Sequence, residues 1–366
     1  MPKKFLFRLH LALLLLFFVK DSLFATLNSS LKVDTLPSGN RMSVQLLVFY
    51  SADENSPSMI HLLEHFVAKG NPEETDFLLE SSGLSLSAST QDHLVQFAID
   101  GNPNALEKAL SAFKQVLTPL NITSKDLVKE ISILKEEKEY SKFHDPELLH
   151  STTLFDGFDE LEKLTPLDLE AIRKKVFQPE NLILSVSGPF DKAYVEKITR
   201  QIFPVFFQKK YLSPALPIGK KIKISHDNQT YSVPMAGLED ERSLARLIAG
   251  FIISFYDPGL QLIYTPSVLP TYLRIGSKNN FFINQQRVES ARNQNRLRGT
   301  GIELACRWVE SFLNTPHQRA YFMGILAKGN MELTPEKLIL KLKNISEQEI
   351  EEAFKWFQLS SPKKDD

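Results

Sequence analysis

Two histidines stand four residues apart in the run Ser58-Met59-Ile60-His61-Leu62-Leu63-Glu64-His65-Phe66-Val67. At about 100° per residue, a helix gathers His61, Glu64 and His65 on one face and turns Leu62 and Leu63 into packing. Neutral imidazoles offer nitrogen ligands to a borderline-soft dication. A carboxylate beside them can accept a proton from a water held by that cation. A packed helix that happens to carry two histidines has the same pattern, so the chemistry turns on whether a third ligand stands at a sensible place.

One candidate lies 72 residues beyond His65, at Glu137. Residues 126–137 read as a single helix, with Leu127, Ile131 and Leu134 at i, i+4 and i+7, and with Ser124 or Asp126 as its cap. Glu130 and Glu137 are seven residues apart and share a face to within about 20°. Taken alone, Glu130, Glu136, Glu137 and Glu139, alternating with Lys129, Lys135 and Lys138, read as a solvated charged face.

His61 to His65 forms the H-x-x-E-H pattern of inverted zinc peptidases. Lys69-Gly70 follows it, then the Glu-bearing helix. Gly83-Leu84-Ser85-Leu86-Ser87-Ala88-Ser89-Thr90 matches a G-x-x-x-N-A-x-T strand, and Asn181 to Gly188 matches a strand that closes a first domain. In these features the chain resembles the pitrilysin/insulinase-type metallopeptidases, which include the mitochondrial processing peptidases and many bacterial zinc proteases. The likeness runs from about Leu36 to Phe207, and more weakly to the C-terminus.

That resemblance implies an α+β fold of two related domains, each a mostly antiparallel sheet with helices packed on one face, together forming half of a clamshell. It implies one zinc ion per chain, held by His61, His65 and Glu137. Glu64 would activate water, and Glu130 would support the site. Ser87, Ala88 and Ser89 would lie on an edge strand that pairs with an extended peptide substrate. The implied activity is that of a metalloendopeptidase acting on peptides or unfolded segments. A dimer is expected, either of two copies or with a metal-free relative of the same fold.

The chain departs from the family at three places. Ser58 stands where a Gly is usual, and Ser87 replaces the usual Asn. Relatives carry an Arg and a Tyr seven residues apart on the metal-free domain; here Arg274 is followed at that spacing by Phe281, which cannot donate a hydrogen bond. Arg274 reads as an ordinary surface arginine.

The elements that must position these residues follow from periodicity and turn chemistry. Strands are expected at 31–35 and 42–50, around the Pro37-Ser38-Gly39-Asn40 turn, and again at 85–90 and 94–99. Asp92 and His93 read as turn residues and not as ligands. Asn104 to Val116 is an amphipathic helix, and helices are expected at 167–177 and 191–202. His144 and His150 are set aside, because two His, one Glu and water complete a tetrahedral site. Ser213 to Gly219 is Pro-rich and reads as a hinge. Beyond it come strands near 222–224 and 231–233, a helix from Glu241 to Phe255, an irregular middle, and helices at 301–314 and 335–343. Ser346-Glu347-Gln348-Glu349 reads as a capping box opening a last helix. The expected domains are 1–25 as a signal peptide, 26–212 as the zinc-binding domain, and 213–366 as a shorter metal-free copy.

Composition narrows the alternatives. Length 366 suits two domains, and a net charge of −1 recommends no nucleic-acid partner. The single cysteine, Cys306, excludes an intrachain disulfide and reads as a small buried residue. Lys3-Lys4 followed by the apolar run 11–19 reads as a secretory signal cleaved near Ala25, giving a periplasmic or secreted protein with no stable membrane span. An uncleaved anchor is the alternative. Two other classes compete with the peptidase: an inactive or assembly subunit of the same fold, and a periplasmic binding module with chance motifs.

Overall fold

The computed structural model describes residues 30–36, 39–50, 56–69, 79–91, 93–144, 155, 157–204, 230–268, 271–277, 285–294, 296–330 and 332–357. The expected signal segment, the Pro-rich hinge, the 212/213 boundary, the strand at 222–224, Asp92, His150 and Phe281 lie outside these residues, as does the side chain of His144.

The first half is built on β1 (Leu31–Thr35), β2 (Met42–Phe49), β3 (Leu84–Gln91), β4 (Leu94–Gly101) and β5 (Leu182–Gly188), in the order β1-β5-β2-β4-β3. The β1–β5 pair is parallel, and β5–β2, β2–β4 and β4–β3 are antiparallel. Around this sheet lie α1 (Pro57–Lys69), α2 (Leu106–Val116), α3 (Ser124–His144), α4 (Pro166–Val176) and α5 (Lys192–Ile202). β2 is buried along its whole length. Its alternate residues face opposite ways. Val44, Leu46 and Val48 share a core with Ile60, Leu62 and Leu63 of α1, Phe113 of α2 and Val195 of α5.

The second half carries β6 (Thr230–Met235), β7 (Leu260–Ile263) and β8 (Thr271–Ser277) in an antiparallel sheet of order β6-β8-β7. With α6 (Glu241–Tyr256) following β6, this repeats the β2-α1-β3-β4 sequence and the β2-β4-β3 order of the first half. Then come α7 (Gln285–Arg292), α8 (Leu297–Ser311), α9 (Pro316–Gly329), α10 (Pro335–Asn344) and α11 (Glu347–Phe354). Ser346 caps α11 in the expected capping box with Glu349. Cys306 is buried in the second core. Arg274 lies on β8 with its guanidinium over the Tyr272 ring.

Three features differ from the sequence expectations. Thr123 caps α3, ahead of both expected residues: its hydroxyl accepts from Asp126 N at 3.2 Å while the Asp126 carboxylate accepts from Thr123 N at 3.0 Å. The stretch taken as irregular contains β7, β8 and α7. Helix α9 has no counterpart in the sequence reading. From Ala320 to Lys328 every one of its residues is buried, so no polar stripe marks a period.

The burial of α9 has a direct cause. Phe322 and Leu326 belong to the second core, whereas Tyr321, Ile325 and Ala327 pack with Leu47, Phe49, Leu94 and Ile183 on the remaining face of the first sheet. The approach is close: a Cβ at Gly324 would sit 2.4 Å from Leu47 Cδ1. At the helix N-terminus the contact is polar. Arg319 grips the Asp34 carboxylate at 2.6 and 2.9 Å, and His317 Nδ1 meets Asp100 at 2.8 Å. Gln45 donates to His317 O at 2.8 Å and to Ser43 at 3.2 Å, and it accepts from Gln96 at 3.0 Å. The buried amide of Gln45 is thereby satisfied at both ends.

Candidate active site

Helix α1 leaves β2 after residue 49 and packs along β3. Its first turn is closed by Ile60 N donating to Ser56 O at 3.2 Å. Ser58, in place of the usual Gly, is buried, and its hydroxyl lies 2.9 Å from that of Ser56. The helix therefore begins normally. Gly157 leaves room for this turn, with φ of 74°; a Cβ there would meet Ser56 Oγ at 2.2 Å.

His61, Glu64 and His65 line one side of α1, with a donor atom from each within 4.8 Å of the others. Helix α3 brings Glu137 against them. Its Oε2 lies 3.5 Å from His61 Nε2 and 3.6 Å from His65 Nε2. Tetrahedral zinc with bonds of 2.0–2.2 Å sets its ligand atoms about 3.3–3.6 Å apart. The two separations from Glu137 match that edge, so the donor set fits the metal. Glu64 Oε2 is 3.8 Å from His61 Nε2 and accepts a hydrogen bond from Thr90 Oγ1 at 3.2 Å.

Glu130, one heptad before Glu137, is buried against the far side of His65, with Oε2 3.3 Å from Nδ1. A proton on Nδ1 directed at this carboxylate leaves the Nε2 lone pair facing Glu137. Lys69, at the end of α1, also donates to Glu130. The Phe155 ring stands 6.0 Å from the His61 ring, edge to face, and covers that side of the site.

Electrostatics separate the two histidines. Burial, helped by the neighbouring His65, lowers the His61 pKa to about 4. Burial also opposes charge on His65, but the neighbouring Glu137, Glu64 and Glu130 carboxylates outweigh it and hold His65 above its ordinary value. The adjacent His65 holds the Glu137 carboxyl below its ordinary value. Burial raises Glu64 to about 7 despite His65 and Thr90, the range in which a carboxylate can both take and return a proton.

β3 is the edge of its sheet among the described strands. Ser87 and Ser89 are exposed, while Ala88 and Thr90 face the helices. Gly83 opens the strand at φ of 66°, which suits a residue without a Cβ. The sequence thus located His61, Glu64, His65, Glu130 and Glu137, which meet, and Ser87, Ala88 and Ser89, which lie along the neighbouring edge. It missed the contact of Thr90 with Glu64. Strand alternation was the available signal, since Thr90 must share a face with Ala88 and Leu86.

Residues 50–160, which contain all of these side chains, match the sequence model of the family described as Insulinase (Peptidase family M16). The fold is that of the insulinase-type peptidases. The zinc protease PqqE of Helicobacter pylori is 23% identical over 202 residues, 49% of this chain and 46% of that protein. A probable mitochondrial-processing peptidase subunit beta of Schizosaccharomyces pombe is 25% identical over 160 residues, 39% of this chain and 35% of that one. These alignments therefore span less than half the length of either curated relative. Among solved structures, a protease from Helicobacter pylori superimposes with a TM-score of 0.70 at 14% identity, covering 90% of this chain and 94% of that one. A peptidase M16 inactive domain from Pseudomonas fluorescens gives a TM-score of 0.63 at 14% identity, covering 88% and 91%. At such identities the structural likeness speaks for the fold alone.

Proposed function

We propose that this chain is a zinc-dependent endopeptidase of peptides or unfolded protein segments. One observation carries the reading: a carboxylate from α3 approaches both Nε2 atoms of α1 at separations suited to a shared tetrahedral ion. His61, His65 and Glu137 hold one zinc per chain, and Glu130 orients His65. Bound there, zinc supplies a Lewis acid that acidifies water and polarises a peptide carbonyl. Glu64 accepts the proton of the attacking water and later delivers it to the leaving amine nitrogen. The extended substrate adds as a strand to β3 beside Ser87, Ala88 and Ser89, where unpaired backbone groups bind main chain with little regard to side chains.

The working form is a dimer, either of two copies or with a metal-free relative. The name of the fission yeast relative, a subunit beta, is compatible with the second arrangement. The basic start and the apolar run 11–19 favour export to the periplasm or beyond. A second reading, a non-catalytic assembly subunit, is compatible with the inactive-domain neighbour. Elemental analysis and a Glu64→Gln variant separate the two. The peptidase reading expects about one zinc per chain in both proteins, cleavage of a casein-type substrate by the parent, and its loss in the variant. Full cleavage by Glu64→Gln refutes the assignment, and a parent chain without zinc or cleavage supports the assembly role.

A further inference from the structure

We propose that Thr90 is a positioning residue for Glu64, and that Tyr321 of α9 fixes the strand end from which Thr90 reaches it. The proposal rests on the reading of Glu64 as the base. Thr90 Oγ1 donates to Glu64 Oε2 at 3.2 Å. The terminal torsion of a glutamate is broad, so a carboxylate without a donor swings about its long stem. A hydroxyl held on a strand fixes the carboxylate plane.

The strand end is itself fastened from both sides. Thr90 faces α1, so the next residue, Gln91, faces the opposite side of the sheet. There Tyr321 OH, on a buried side chain, donates to Gln91 Oε1 at 3.0 Å. Tyr50 OH donates to Gln91 O at 2.6 Å, and Tyr50 N donates to His93 O at 3.1 Å. Gln91 is thus held through its side chain by the second half of the protein and through its backbone by the first. The placement of Glu64 depends on a helix more than 200 residues away in sequence (|i−j| is 230 for the Tyr321–Gln91 contact).

The test compares Thr90→Val, which keeps shape and removes the donor, with Thr90→Ser, which restores the hydroxyl, in the full chain. In Thr90→Val, a crystal structure is expected to show the Glu64 carboxylate displaced from its position 3.8 Å from His61 Nε2. On an unstructured fluorogenic peptide kcat falls about tenfold, the value of one charge-assisted hydrogen bond, while KM, zinc content and melting temperature hold. Thr90→Ser recovers both the carboxylate position and kcat. Tyr321→Phe speeds hydrogen exchange at the 91–94 hairpin end and lowers kcat by a smaller factor. A carboxylate that stays in place in Thr90→Val, or a Thr90→Ser as impaired as Thr90→Val, overturns the proposal. If Glu64→Gln retains full cleavage, the base assignment has failed and this proposal with it. If Glu64→Gln is inactive while Thr90→Val keeps its kcat, only the positioning role has failed.

Discussion

Replacing Glu130 with Gln changes one charge at nearly constant volume, and the surroundings of Glu130 set the size of the effect. The carboxylate is buried and lies 3.3 Å from His65 Nδ1. A glutamine can still accept from that nitrogen, so what is lost is the charge assistance. Hydrogen bonds to charged groups contribute about 1.5–3 kcal/mol, against about 0.5–1.5 for neutral ones. The difference, about 1.5 kcal/mol, corresponds to about a tenfold weaker zinc affinity. That falls at the lower end of the ~10–100-fold losses typical when the partner of a ligating histidine is altered. Lys69 loses its counter-charge, but its side chain is 49% exposed and water can take over. Stability of the zinc-free protein should therefore change by less than about 1 kcal/mol. The assay is competition for zinc against a chromophoric chelator at fixed pH, paired with urea unfolding of the zinc-free protein. An affinity within about twofold of the parent would refute the orienting role. A loss of stability as large as the loss of affinity would show Glu130 to act on the fold.

Two further outcomes concern the seam between the halves. Burial pushes the Asp34 carboxyl up, but the Arg319 guanidinium and the Ser187 hydroxyl hold it below its ordinary value of 3.8. Its stabilising contribution is thus present above pH 3.8 and is lost as pH falls through the lower folded-state value. Arg319→Met leaves that partly buried carboxylate without its partner and should cost about 3 kcal/mol at neutral pH in urea unfolding, with the deficit narrowing as acidification protonates the carboxylate; a deficit independent of pH would count against the pair. Gly324→Val drives a side chain into Leu47 and should cost about 2 kcal/mol or more, whereas Gly299→Ala in α8, where a Cβ meets nothing within 4 Å, should gain up to about 1 kcal/mol. Equal melting temperatures for the two variants would remove the argument from close approach.

The legible part of this protein is the part where chemistry and helical geometry coincide. His61, Glu64 and His65 read from spacing within one helix, and Glu130 and Glu137 from a heptad on another. What spacing could not supply was the meeting of the two helices, since Glu137 reads equally well as one member of a Lys/Glu face. Its placement 3.5 and 3.6 Å from the two imidazoles distinguishes it from Glu136 and Glu139, which share its charge and helix. The strands of the first sheet were readable because β2 is flanked by a turn and β3 alternates. The second half was harder. β7 is four residues long, and α7 is a short, strongly polar helix with little apolar face to read.

The helix that escaped the sequence reading is also the one that joins the halves, and the two facts have one cause. A helix packed on a single core shows a polar stripe, and that stripe is the signal periodicity detects. α9 packs Phe322 and Leu326 into its own core and Tyr321 and Ile325 onto the first sheet, so it has no side left to mark as polar. The same double packing completes the first sheet. Leu47, Phe49, Leu94 and Ile183 are as apolar as the residues beneath α1, and among the described residues they are covered by Val268, Tyr321, Ile325 and Ala327 of the second half. The sheet that carries β3 and packs against the helix of His61, Glu64 and His65 is therefore finished, among the described residues, by the second half. Tyr321 extends that dependence to Gln91, one residue from the hydroxyl that touches Glu64. A site written almost wholly in residues 61–137 is in this way shaped by a helix at 316–329, and substitutions along α9 should be judged by what they do to β3 as well as by what they do to the core.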